Sequence, residues 1–365
     1  MKKTLLITLV ASTLSLISCN SGGQNATSGN NGISEPVPTN NPTTIPSVLP
    51  TSDPTVTPIF SPTPSPTNTP SILPVLKHLY IANERNSFTE CNINESGLDE
   101  NSCQTLTPSG SGTLSAPIGV AVDNNNHLLI SNFSSNSITQ CNLESGLSDI
   151  NSCLTSTLTN NVSPEGMTIY NGNLYIANNY SSSDIALSCS LVPSGVNIGS
   201  CITIISNAVG GTIKAEDMAF DNYHVFFTNY PDGYIQCNLN SGNIDYNSCT
   251  QNILGTHANI MYPRGVSVNN GFIYFINSGN NSVTQCPVTF SGVDSSNCIN
   301  LLDNNLFQTP IGISIDNNYA YISNMLNNSL TQCNINESGL LLNSCIIKIP
   351  TGSGALSQPW FTTIN

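Results

Sequence analysis

The chain of 365 residues carries seven Lys plus Arg against twenty-one Asp plus Glu, a formal charge of −14. With no basic stripe to neutralise phosphates, nucleic acid is excluded as a partner, and so acidic a surface has no electrostatic attraction for anionic lipid headgroups. At 8% charged residues, the surface must be covered by Asn, Ser and Thr instead.

The first element is a leader. Lys2 and Lys3 precede an apolar run from Leu5 to Ile17 that is too short for a stable membrane-spanning helix and reads as a secretory signal over residues 1–18. It ends in Leu16-Ile17-Ser18-Cys19, which resembles the lipobox of bacterial lipoproteins. That resemblance implies cleavage before Cys19 and acylation of its thiol. Lipid on Cys19 would then be the membrane partner, holding the chain outside the cytoplasm on the bacterial cell envelope, at the outer membrane or cell surface.

Residues 19–75 read as a tether. A Gly/Ser/Asn stretch, SGGQNATSGNNG, is followed by a proline-threonine run, PTSDPTVTPIFSPTPSPTNTP, and neither has the apolar content to offset ordering entropy. The proline part favours extended polyproline II, at roughly 3.1 Å per residue.

From residue 76 the chain becomes periodic. Six cysteine pairs recur with a constant gap of twelve positions: Cys91/Cys103, Cys141/Cys153, Cys189/Cys201, Cys237/Cys249, Cys286/Cys298 and Cys333/Cys345. The first cysteines are spaced by 50, 48, 48, 49 and 47 residues, and such a period with strand-like runs points to propeller blades. Within residues 117–158 the four strands are PIGVAVD, LLISN, SITQCN and SCLTSTL, separated by Asn, Gly and Ser clusters. The second-strand motif occurs six times: LYIAN, LLISN, LYIAN, VFFTN, IYFIN and AYISN. The domain starts on a second strand, and its missing first strand reappears at the C-terminus as QPWFTTIN, with Pro359 in the place of Pro117. The expected fold for residues 76–365 is therefore all-β: a six-bladed β-propeller of four-stranded antiparallel blades, closed by the C-terminal strand pairing with the first blade.

The phrases PIGVAVD, LYIAN and NSITQ resemble NHL-repeat propellers, from which the chain departs by placing Asn after the second strand and by its cysteine pairs. Propellers of this kind serve as binding platforms and as enzymes, so the resemblance speaks to fold more than to function.

An exported chain keeps its cysteines oxidised, and each C-x11-C pair is expected to staple the two outer strands of a blade across a Ser-Gly turn, one cysteine on the third strand and one on the fourth. Zinc ligation would call for shorter spacings such as C-x-x-C, and none occurs.

Chemistry is sought where the repeat is broken. The residue after the first-strand proline position is Ile118, Glu165, Glu216, Arg264, Ile311 and Trp360 in turn. At the start of the innermost strand these should line one channel mouth, with Glu165, Glu216, Arg264, Trp360 and the neighbouring Asp217 as candidate binding residues. Glu165 lies in SPEGM, similar to the Glu-Gly segment that supplies a metal-binding carboxylate in gluconolactonase-type propellers; the resemblance implies calcium or another divalent ion, and no second ligand can be placed. His78, His127 and His224 precede second strands in separate blades and point apart, while His257 stands alone in a loop. No Ser-His-Asp set, phosphate-cradling glycine loop or paired-carboxylate motif is present, so no catalytic residue and no cofactor is assigned.

The reading this supports is a membrane-tethered, non-enzymatic platform for a protein, peptide or glycan. The alternative is an exported metal-dependent lactonase or lyase of the gluconolactonase-like kind.

Overall fold

A computed structural model of the chain describes residues 76–159, 162–179, 184–206, 214–231, 233–252 and 260–365. The leader, Cys19, the tether and His257 lie outside the described residues. Those described fall within one compact unit, Ser71–Asn365.

The unit is a six-bladed β-propeller. Numbering blades from the one that holds Lys77, the second strands are Lys77–Asn83, His127–Asn132, Asn173–Asn178, His224–Asn229, Phe272–Asn277 and Tyr319–Asn324. The inner strands of blades 2 to 6 are Pro117–Val122, Pro164–Tyr170, Ala215–Phe220, Pro263–Asn269 and Pro310–Ile315. Blade 1 takes its inner strand, Pro359–Ile364, from the C-terminus, with Leu79 opposite Ile364 and Tyr80 opposite Thr363. Chain end and chain start thus share one sheet, and no edge is left where the ring closes.

Second strands are buried almost throughout, as in Leu79, Tyr80, Ile81 and Ala82. They sit mid-blade, with a neighbouring blade against each face, so they read as unbroken apolar runs rather than alternating ones. The core accordingly lies between blades: Tyr274, Ile276 and Val283 of blade 5, for example, pack with Ile313, Ala320 and Ile322 of blade 6. In five blades the Asn that ends the second strand, Asn83, Asn132, Asn178, Asn229 or Asn324, pins the connection arriving from the previous blade. Asn132 Oδ1 accepts the Ser115 backbone N–H at 3.0 Å while its Nδ2 donates to Thr139 Oγ1 at 2.9 Å. An ionised aspartate could not do both.

The outer part of each blade is more elaborate than a simple hairpin. In blade 2 the third strand, Ser137–Glu144, turns back at Ser145-Gly146 into a two-residue strand, Leu147–Ser148, before the fourth strand begins at Leu154. Five of the blades insert a single 3-10 turn before the second cysteine, such as Glu100–Ser102. Asp99 caps that turn by accepting the Asn101 N–H at 3.1 Å, and Ser102 Oγ accepts the Asn92 N–H of the third strand at 2.7 Å.

All six disulfides form with the expected partners: Cys91–Cys103, Cys141–Cys153, Cys189–Cys201, Cys237–Cys249, Cys286–Cys298 and Cys333–Cys345, with Cα atoms 4.0 to 4.1 Å apart. The expectation that both cysteines of a pair lie on strands is corrected for the second one. Cys103, Cys153, Cys201, Cys249, Cys298 and Cys345 are not on the fourth strand; each stands one residue ahead of it, and the strands begin at Gln104, Leu154, Ile202, Thr250, Ile299 and Ile346. The reason lies in where the third strand's next N–H goes. In five blades the residue after the first cysteine donates not to a backbone carbonyl but to a serine hydroxyl, that of Ser102, Ser152, Ser200, Ser248 or Ser344. In blade 5 that residue is Pro287, which has no N–H to give. The backbone ladder therefore ends at the residue before the first cysteine, as where Gln140 pairs with Leu154. The disulfide takes over one step beyond, joining the third strand to the end of the turn. Six disulfides belong to an oxidising, extracytoplasmic compartment.

In five blades the residue before the first cysteine also ties its blade to the next. Gln285 Oε1 accepts the Leu340 N–H at 2.9 Å and its Nε2 donates to Ser338 O at 3.0 Å, clasping the Ser338-Gly339 turn of blade 6. Gln140, Gln236 and Gln332 repeat the contact, and Glu90 does so in blade 1 by accepting the Ser148 N–H at 3.0 Å. Blade 3 has Ser188 at this position, hydrogen-bonded to Tyr175 of its own sheet. The clasp explains the glycine: at Gly339, φ is +98° and an added Cβ would lie 2.1 Å from Gln285 Nε2.

Candidate functional site

The inner strands share a feature absent from the sequence reading. In blade 3, Pro164 pairs with Asn178 and Met167 with Ile176, so Glu165 and Gly166 together oppose Ala177 alone. The same two-against-one β-bulge recurs in all six blades, at 118–119, 216–217, 264–265, 311–312 and 360–361. A bulge bends the strand and turns its side chains away from the ladder. It is what brings the blade-variable residues to the mouth.

Hydroxyls fix three of these bulges in place. Ser131 Oγ accepts the Gly119 N–H at 2.7 Å and donates to Glu165 O at 2.8 Å; Thr228 Oγ1 accepts the Asp217 N–H and donates to Arg264 O, both at 2.9 Å. Ser323 links the Gly312 N–H to Trp360 O likewise. The backbones of Glu165, Arg264 and Trp360 are thus each held by the preceding blade. In blades 1, 3 and 5 the corresponding residue is Ala82, Ala177 or Ile276.

The mouth divides into two halves. On one side Ile118, Ile311 and Phe361 form a buried apolar cluster with Trp360 against it. On the other, Glu165 and Glu216 are buried side by side, and Asn179 Nδ2 donates to Oε1 of each, at 2.9 and 3.3 Å. Arg264 Nη1 ion-pairs with Glu216 Oε2. Its guanidinium carbon lies 5.1 Å from the Tyr230 ring centre and 5.7 Å from that of Trp360, a double cation–π contact spanning the two halves. Trp360 Nε1 donates to Glu84 Oε2 at 3.0 Å, Lys214 Nζ stands 5.6 Å over the same Tyr230 ring, and Tyr262 stacks on that ring at 5.2 Å.

Burial, and then the charge of Glu216, hold the Glu165 carboxyl well above the usual carboxylate range, against the opposing pull of Asn179 and Arg264. Burial works against the Arg264 cation, but Glu216 overcomes it and leaves that group's pKa raised. Glu165 therefore favours its neutral form while Glu216 and Arg264 compensate one another.

Glu165, Glu216, Arg264 and Trp360 thus form one cluster. Asp217 turns the other way, into the wall of the channel: Oδ2 accepts the Val266 N–H at 3.0 Å, and Gly166 leaves room for Oδ1 where a Cβ would come within 2.3 Å. Burial pushes this carboxyl up to about 7, opposed by the Val266 and Met218 N–H groups. It borders an open cavity of about 260 Å³ lined by the inner strands, among Thr168, Ser267, Ser314 and Thr362. Tyr230, Asn179 and Lys214 belong to the mouth and carry no repeat signature. Their only trace in sequence is position, directly after a second strand or directly before an inner one.

The residues beside Glu165 do not fit a divalent ion as they stand. Calcium requires six to eight oxygens, whereas among the described residues no group of three His, Cys, Asp or Glu gathers in metal-binding geometry, and the neighbouring Glu216 is already paired with a guanidinium. Two of the described histidines serve turns on the opposite face, His127 pairing with Asp123 at 2.8 Å and His224 with Asp221 at 3.1 Å; burial lowers the pKa of His78.

No protein-family profile matches the chain, and no curated protein matches it. Solved structures match by shape. One chain of a nidogen/laminin complex aligns with a TM-score of 0.57 at 12% identity, over 79% of this chain and 98% of that one. A Lactobacillus plantarum protein aligns at 0.51 and 12%, over 79% and 85%. A Bacteroides uniformis protein assigned provisionally to the 6-phosphogluconolactonases aligns at 0.51 and 14%, over 76% and 83%. At such identities these likenesses bear on the propeller fold alone.

Proposed function

We propose that this protein is an NHL-type propeller, anchored to the bacterial envelope through lipid on Cys19, that captures a protein, peptide or glycan at the channel mouth without transforming it. The observation that carries the reading is the mouth itself: the inner-strand position after the proline, which changes chemical class from blade to blade, gathers Glu165, Glu216, Arg264 and Trp360 into a single polar-aromatic cluster. Capture is favoured over catalysis because a general acid or base must reach the proton it transfers. Glu165 and Glu216 are 2% and 1% exposed and are occupied by Asn179 and Arg264.

The test is capture from envelope extracts by wild type and by Arg264→Ala and Trp360→Ala. Loss of the same ligand from both variants is expected; identical captures would remove the mouth as the binding face. Turnover of a lactone by the purified protein, abolished by metal removal and by Glu165→Ala, would replace this reading with the enzymatic one. Palmitate labelling that persists in Cys19→Ser would dismiss the lipid anchor.

A further inference from the structure

Charge is segregated between the two faces of the ring. Second strands run from the hairpin face to the mouth, so each residue's face follows from its place along the strand. The exposed carboxylates Glu95, Glu100, Glu144 and Glu337 all lie on the hairpin face, as do the turn aspartates Asp149 and Asp245. Of the seven Lys and Arg, two are in the leader, and of the remaining five, Arg85, Lys214 and Arg264 stand at the mouth. Among the described residues the carboxylates there are engaged. Glu216 is paired with Arg264, Glu165 favours its neutral form, Glu84 accepts from Trp360, and Asp303 caps its own turn at Asn305. Lys214 is exposed and makes no ion pair among the described residues. In a protein of charge −14, the mouth is the face an anion can approach.

The cations there are organised on an aromatic surface. Lys214 and Arg264 both stand over the Tyr230 ring, Tyr262 extends that surface while remaining 42% exposed, and Trp360 continues it beyond Arg264. Aromatic faces beside fixed cations are what a carboxylate-bearing sugar satisfies together: its ring stacks and its carboxylate meets Lys214.

We infer that the mouth recognises an acidic saccharide, a uronate-containing glycan, with Tyr262 and Trp360 as stacking surface and Lys214 as the carboxylate contact. The inference rests on the mouth being the capture face. The experiment is calorimetric titration of the purified propeller with uronate oligosaccharides (galacturonate, glucuronate and mannuronate series), a neutral hexose oligosaccharide of equal length and a pentaglutamate peptide. Binding of at least one uronate series about tenfold tighter than the neutral sugar is expected, weakened by salt and about tenfold by Lys214→Ala or Tyr262→Ala. Folding of both variants is checked by circular dichroism. Equal affinity for the neutral sugar, equal or tighter binding of the peptide, or no uronate binding would each overturn it. Failure of the underlying reading looks different: captures from extract unchanged by Arg264→Ala and Trp360→Ala.

Discussion

The clasp between Gln285 and the Ser338-Gly339 turn makes a double-mutant prediction. Gln285→Ala removes the acceptor of the buried Leu340 N–H and the donor to Ser338 O. An unpaired buried N–H costs about 1–3 kcal/mol and the second bond about 1, so the loss should be about 3 kcal/mol. Gly339→Ala forces the same loss by another route. Its Cβ would lie 2.1 Å from Gln285 Nε2, so the glutamine must swing away, and alanine at φ +98° adds about 1–2 kcal/mol of backbone strain. Once the glutamine is gone, only the strain remains to be added. The double variant should therefore be about as unstable as Gly339→Ala alone, a coupling of about 3 kcal/mol that urea denaturation resolves easily. Gly242→Ala is the internal control: it faces Asn171 rather than a glutamine and should show backbone strain alone. Additive costs in the Gln285/Gly339 cycle would refute the clasp as the reason for the glycine.

Two further outcomes follow from the same architecture. Replacing Cys141 and Cys153 together by Ala should cost about 3 kcal/mol, the chain-entropy value for so short a loop, read as a lower urea midpoint under non-reducing conditions. Asp217→Asn should change the pH dependence of stability. Because the folded pKa is raised to about 7, the wild-type contribution is full below the ordinary Asp value and is lost as pH rises through about 7. The wild-type advantage over Asn should thus shrink by about 4 kcal/mol between pH 4 and pH 8, and a flat difference curve would count against the buried carboxyl.

Blade count, disulfide pairing and ring closure were readable in the sequence because each is a matter of spacing along the chain: a constant gap of twelve, a period near 48, and a strand motif out of phase at the end. The seat of the second cysteines was not, since Ser102 and its counterparts look like strand residues until their hydroxyls are seen to end the ladder. The bulges were hidden too, because a bulge is a relation between two strands and leaves no residue out of pattern. Its trace is indirect: Gly119, Gly166, Gly265 and Gly312, each of which meets the next blade's bulge where a Cβ would intrude. The glutamine clasps hid in plain view within the repeated Gln-Cys, since their partners sit more than fifty positions away in the next blade. At the mouth, the variable positions could be enumerated but not oriented. Glu216 and Asp217 are adjacent in sequence and face different spaces, one the mouth and the other the channel wall, because the bulge separates them.

The seam between blades 3 and 4 differs from the other five. Ala177 offers no hydroxyl to the Glu216 bulge and Ser188 offers no clasp to the Ser241-Gly242 turn. What crosses it among the described residues is apolar and aromatic packing, with Tyr170 stacked on Phe220 at 4.3 Å, a long contact from Asn171 Nδ2 to Gly242 O at 3.5 Å, and the amide of Asn179 between Glu165 and Glu216. A closed ring fluctuates open where it is least bonded, and here that place runs through the mouth. A ligand captured at the mouth, as proposed, would close a circuit that the protein's own hydrogen bonds leave loosest. Occupancy of the mouth and integrity of the ring would then be one equilibrium, so such a ligand should slow amide exchange on both sides of that seam before it changes any other.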